Sequence, residues 1–163
     1  MSALMRDNQD DRGTGNIRTF LRIRVDEPTI SLVSRWINDD GDFVYKEVNR
    51  SEMDTKVFVD KETTSTMVPL RYVSELLGYD VTWDEITETA TVTNATRTLK
   101  FKKDSHHMLI DGTKVQVMSY GGIWMDTIMK DNRLFIPLRA VSRAFDLTFG
   151  WDHETGVGYL YLQ

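Results

Sequence analysis

The sequence predicts an α+β protein of two tandem repeats, each a small antiparallel sheet packed on one short helix, with an extended N-terminal arm. Three observations point there. Residues 68–83 read VPLRYVSELLGYDVTW, and 68 positions further on residues 136–151 read IPLRAVSRAFDLTFGW. In both, a proline is followed by apolar residues at helical spacing and then by apolar residues in alternation, so the period switches from that of a helix to that of a strand. Elsewhere alternating runs flank turn residues, around DEPT (26–29) and in IDGTKVQV (110–117), which marks antiparallel hairpins.

Bulk properties bound the reading. The 163 residues, 40% hydrophobic and 28% charged, suffice for one core or two small ones. A net charge of -5 opposes a nucleic-acid or anionic-lipid partner, because phosphate contacts need clustered Lys and Arg. No run approaches the roughly 20 apolar residues of a membrane helix, and MSALMRDNQDDRGTGN lacks the apolar centre of a secretory signal. The expectation is a chain made in the cytoplasm and not exported by the general secretory route. With no cysteine, disulfides, thiolate catalysis and Cys-bound zinc are excluded.

Taken in order, residues 1–16 are polar, carry Gly13 and Gly15, and show no apolar period. They read as an arm that is dispensable for folding. It is either a frayed end or a partner-binding strap anchored by Leu4 and Met5. The first repeat is expected over 17–95. Its opening hairpin has Phe20, Ile23 and Val25 before DEPT and Ile30 and Leu32 after it. This hairpin is aligned with the second one by setting Val25-Asp26 against Ile110-Asp111, where Asp-Gly favours a tight turn. That alignment requires an insertion in the first repeat, placed within about 38–64.

Pro69 and Pro137 suit the first turn of a helix, where a missing N–H is no loss. Leu70, Val73, Leu76 and Leu77, matched by Leu138, Val141, Ala144 and Phe145, form one apolar face. Gly78 and Asp146 stand where a left-handed residue stops the helix. Each helix, at about nine residues, is too short to persist without packing. Tyr79, Val81 and Trp83, like Leu147, Phe149 and Trp151, then alternate as a strand, with both indoles expected in equivalent buried positions. Asp84 and Asp152 cap turns into the last strands, TATVT and VGYLYLQ. The second repeat is expected over 96–163.

Asp-Gly hairpin, Val/Ile-Pro-Leu-Arg, helix, then Val81-x-Trp83-Asp84 or Phe149-x-Trp151-Asp152 before a final strand: this order resembles the copper amine oxidase N-terminal-like domain, a stalk-type module. The resemblance is strong for 66–93 and 108–162, weaker for 17–65 and absent for 1–16. It implies a twisted antiparallel sheet wrapped on a helix, in two tandem copies, and no chemistry of its own. Oxidase chemistry needs three copper-binding His and a Tyr oxidised to a quinone. Here there are three His in all, His106, His107 and His153, and no Asn-Tyr pair. Neither metal nor other cofactor is expected.

Each candidate site has a plain structural counterpart. Neighbouring strand residues point to opposite faces, so His106 and His107 are not expected to share a metal. NDDGDF (38–43) looks like a calcium loop, but its glycine and distal Glu are misplaced, and a solvated turn is favoured. Arg71 and Arg139 repeat at one helical position, which argues for stems that pack while the charge finds an Asp or a carbonyl. Tyr120, Ile123, Trp124 and Met125 in SYGGIWM form either core or an interaction surface. The sequons at Asn49 and Asn94 carry no weight without secretion. No phosphate loop, nucleophile elbow or triad is present.

The functional expectation is therefore a non-catalytic structural or attachment protein, acting with other subunits of an assembly as a homo-oligomer or particle-bound component. A phage or phage-tail-like particle accessory, in capsid decoration, neck, tail or baseplate, reconciles an envelope-type module with the absent export signal. The competing expectation is a cell-wall or glycan-binding adhesion module.

Overall fold

A computed structural model describes residues 17–117 and 125–162. The first half of the chain forms β1 (Arg18–Arg24), β2 (Thr29–Ile37), β3 (Phe43–Glu52), β4 (Phe58–Val59), β5 (Thr66–Pro69), α1 (Leu70–Leu76), β6 (Asp80–Asp84) and β7 (Thr89–Thr93). The second forms β8 (Thr98–Lys102), β9 (His107–Ile110), β10 (Thr113–Gln116), β11 (Ile128–Lys130), β12 (Arg133–Pro137), α2 (Leu138–Ala144), β13 (Thr148–Asp152) and β14 (Val157–Tyr161). The class is α+β: among the described residues there are three antiparallel sheets and two short helices.

The sheets do not follow the division expected at residues 95 and 96. The first has the order β13-β14-β1-β2-β3, the second β10-β9-β8-β7-β6, and a four-stranded bridge runs β11-β12-β5-β4. Each five-stranded sheet thus joins the last two strands of one half to the first three of the other. Phe20 pairs with Tyr161 and Arg24 with Val157 across β1 and β14, as Thr98 pairs with Thr93 and Lys102 with Thr89 across β8 and β7. A two-stranded ribbon is marginal alone, and merging it with a three-stranded meander gives five strands with one face on the core.

The hairpins correspond differently from the sequence alignment. The Asp26 N–H donates to the Val57 carbonyl (2.8 Å) and the Asp104 N–H to that of Thr127 (2.9 Å). Likewise Met53 donates to Pro28 and Val117 to His106, at 2.7 Å each. The counterpart of the Asp26 turn is therefore Asp104, between β8 and β9. Asp26 and Asp104 share a single left-handed residue, at φ 66° and 57°. The Asp111-Gly112 pair, the stronger turn signal, joins β9 to β10 and so matches the turn between β2 and β3. Extra length in the first half then falls in β2 and β3, of nine and ten residues against four and four.

Both helices start directly after the proline of the preceding strand. They stop at Gly78 (φ 87°) and Asp146 (φ 56°), where Tyr79 N–H reaches Ser74 O (2.9 Å) and Leu147 N–H reaches Ser142 O (2.8 Å), closing the last turn. One continuous core takes Leu21, Ile23 and Ile30 from the first sheet, Val92, Leu99 and Phe101 from the second, and Val73 and Val141 from the helices. Tyr79 meets Phe145 edge to face at 5.0 Å.

Candidate functional site

Two grooves run along the first turns of the helices, at corresponding places. One is walled by Pro69, Leu70 and Arg71, by Val81 and Trp83 of β6, and by the β11–β12 hairpin. The other is walled by Pro137, Leu138 and Arg139, by Phe149 and Trp151 of β13, and by the β4–β5 hairpin, around about 320 Å³. Each exists because a Pro-Leu-Arg helix start lies against the strand that carries the indole. Trp83 and Trp151 are half-buried at this seam, packed on the core from its rim. They are not enclosed, because the grooves leave one edge of each ring open.

The grooves differ in the polar groups that line them. In the first, the Trp83 indole N–H donates to Glu85 (2.5 Å), and Arg71 donates to the Val81 carbonyl (3.1 Å) and lies 3.4 Å from Glu75. Beside it Arg133 grips both oxygens of Asp54, and the Tyr72 hydroxyl donates to the same carboxylate (2.9 Å). The Arg133 bonds, then the Tyr72 bond, hold the Asp54 carboxyl below the usual carboxylate range. In the second groove Arg139 is exposed and stacks on Phe149 at 4.8 Å. His153 stands where the first groove has Glu85. The Ser65 hydroxyl is buried with no hydrogen-bond partner among the described residues.

The remaining candidates are placed as follows. Asp84 accepts from the N–H groups of Ile86 (2.9 Å) and Thr87 (3.2 Å), and Asp152 from that of Glu154 (3.0 Å), so both organise turns. Pro69 and Pro137 are buried strand ends. Residues 38–42 form the β2–β3 turn and Phe43 opens β3, with the Asn38 side-chain oxygen accepting from Asp40 and Asp42 N–H at 3.0 Å each. The His106 and His107 rings lie 4.4 Å apart, against the expectation that they diverge. His106 precedes β9, so strand alternation does not govern it. His106 Nδ1 is 3.5 Å from Asp126, and partial desolvation, then Lys114 and His106, lower the His107 pKa. Among the described residues no three His, Asp or Glu side chains converge as metal ligands do. Met125 is buried against Met67 and Phe135 and accepts a hydrogen bond from Thr63 (3.2 Å), which removes it from any open surface. Leu4, Met5, Tyr120, Ile123 and Trp124 lie outside the described residues.

Sequence reasoning missed a buried face. Phe20, Val33, Val157, Tyr159 and Tyr161 form a second cluster on the first sheet, turned away from the core. Arg35 lies beside it, its guanidinium 4.8 Å from the Phe43 ring and 5.8 Å from that of Tyr161. The signal was present in VGYLY, which is apolar at every position where TATVT alternates; such a run fits a strand covered on both faces.

Compared with known proteins, the chain matches the copper amine oxidase N-terminal domain over residues 46–160, in one span that includes both Pro-Leu-Arg segments. No curated protein matches it. In amine oxidases this domain is a non-catalytic module. Most of the chain lies within that match, and it belongs to the copper amine oxidase N-terminal domain family.

Proposed function

We propose that the chain is a structural attachment protein made of two tandem copies of this domain, serving as an accessory component of a phage or phage-tail-like particle. The repeated Pro-Leu-Arg segments, the paired grooves and the recurring turn hydrogen bonds support the duplication. The observation that carries the attachment reading is the long β2–β3 hairpin. β3 is an edge strand of ten residues, most of them exposed, with Tyr45 39% and Val48 55% accessible and Ile17 close by on the neighbouring surface. An edge of that length, with exposed apolar side chains, suits strand addition from a neighbouring subunit. Incorporation into purified particles, or self-association measured by sedimentation, tests this. The native chain joins and Val48→Asp does not, with melting unchanged because the residue touches little. A native chain that stays monomeric and unattached, or a variant that joins equally well, overturns the reading.

The second groove favours an adhesion module as the other reading, since the open edge of Trp151 and the Phe149 ring under the Arg139 guanidinium line a half-open cleft of a size that admits a sugar ring. Sedimentation with cell-wall fragments separates the two. Retention that is lost in Phe149→Ala but kept in Val48→Asp supports adhesion.

A further inference from the structure

The outer face of the second sheet is a positive surface on a chain whose net charge is -5. One row of register partners crosses all five strands and reads Thr82, Thr91, Lys100, Leu109 and Lys114. In the next row Thr89 stands opposite Lys102, and His107 opposite Gln116. The three lysines are exposed, and Leu109 is 36% exposed within the row. These residues border a depression of about 440 Å³. The architecture does not impose this chemistry: where β7 presents Thr89, Thr91 and Thr93, β14 of the first sheet has Val157, Tyr159 and Tyr161, all buried, at the same register. Among the described residues none of the three lysines lies within ion-pair distance of a carboxylate, whereas Lys103, next along the chain, reaches Glu88 at 3.2 Å. Asp84, the carboxylate on the border of the depression, accepts from the Ile86 and Thr87 N–H groups and holds its turn. His107 registers the field: after partial desolvation, Lys114 and His106 lower its pKa.

We infer that this face binds a linear anionic polysaccharide, a chain of carboxylate-bearing sugars laid across the strands. Neighbouring strands lie ~4.8 Å apart, close to the length of one sugar unit in an extended polysaccharide, so the row offers one side chain to each sugar. Lys100 on β8 and Lys114 on β10 stand two strands apart, about 10 Å at the backbone. An extended chain whose units alternate in orientation turns every second carboxylate the same way, which places one at each lysine. Between them Leu109 meets the apolar face of a sugar ring, and the Thr82 and Thr91 hydroxyls, each both donor and acceptor, suit sugar hydroxyls. Nucleic acid fits less well. No Trp, Tyr or Phe lines the depression for a base to stack on, and three lysines are few beside the roughly 6–10 phosphate contacts of a strong duplex binder. Sequence reasoning passed over the patch because its lysines come from two strands and are diluted by the acidic remainder of the chain. The inference concerns a surface apart from β3 and from the second groove, and rests on neither reading above.

Titration calorimetry of the full chain with polygalacturonate, at low and at high salt, tests this, with dextran as the neutral probe and oligo(dT) as the nucleic-acid probe. The native chain is expected to bind polygalacturonate with an affinity that falls as salt rises, and to bind dextran and oligo(dT) more weakly. Lys100→Gln with Lys114→Gln weakens binding about tenfold, with melting unchanged because both side chains are exposed. Phe149→Ala, in the second groove, binds as the native chain does. Absence of binding to polygalacturonate, equal binding of dextran, tighter binding of oligo(dT) or an unchanged affinity in the double lysine variant overturns the proposal. So does a loss of binding in Phe149→Ala, which places the polysaccharide in the second groove. Self-association of the native chain that the lysine substitutions abolish overturns it as well, because the face then belongs to a second copy.

Discussion

Trp83 and Trp151 show how position sets the worth of a residue. Both sit at the rim of the core with one ring edge in a groove, so truncation removes only part of the area that a fully enclosed indole buries. Trp83→Ala and Trp151→Ala are each expected to cost about 2 kcal/mol, below the ~3–5 kcal/mol of an enclosed aromatic. Denaturant melts of the two variants check this, and a loss near 5 kcal/mol in either would mean that the grooves close in solution. Gly158 lies between Leu138 and Trp151, where an added Cβ would come within 3.0 Å of the Leu138 side chain. That contact keeps the indole against β14 and ties the seam to the helix start.

At the scale of elements, one polar tie between the two halves is Arg133 of β12 on Asp54, between β3 and β4, with Tyr72 of α1 as third member. The folded state holds the Asp54 carboxyl below its ordinary value. Its contribution is therefore present above the unfolded carboxylate pKa of about 3.9 and is lost as pH falls through the lower folded value. Asp54→Asn is expected to melt below the native chain at pH 6, with the gap closing as the pH drops below about 4. A gap that is constant with pH would assign the effect to packing. The elements themselves were largely legible: proline starts, apolar helical spacing and alternating strands are local signals. The partner of each strand was not. β14 and β1 lie at opposite ends of the chain, and nothing in VGYLYLQ specifies Phe20 as its neighbour. The hairpin register failed for a related reason, since Asp-Gly advertises a turn more loudly than Asp104 followed by Ser105, although Asp104 holds the matching place. The candidate grooves were half legible: their repeated walls are the two Pro-Leu-Arg segments and the strands that follow them, but the facing hairpins come from the other half of the fold.

At the scale of the whole molecule, the pairing of β1 with β14 decides how the protein bears load. The start of β1 and the end of β14 lie side by side, with Leu162 N–H bonded to Thr19 O at 2.9 Å. Tension applied at residues 17 and 163 opens that ladder like a zip, one rung at a time, beginning at Phe20 and Tyr161. Tension applied at residue 17 and at residue 155, in the β13–β14 turn, slides the same two strands along each other and strains all their rungs together. Single-molecule pulling on Ile17→Cys/Gln163→Cys is thus expected to rupture at a markedly lower force than on Ile17→Cys/Thr155→Cys, and equal forces would mean that another contact yields first. A tether made of this module is mechanically directional: soft when pulled by its ends, stiff when gripped at the turn, so the point at which an assembly holds it sets the strength of the joint.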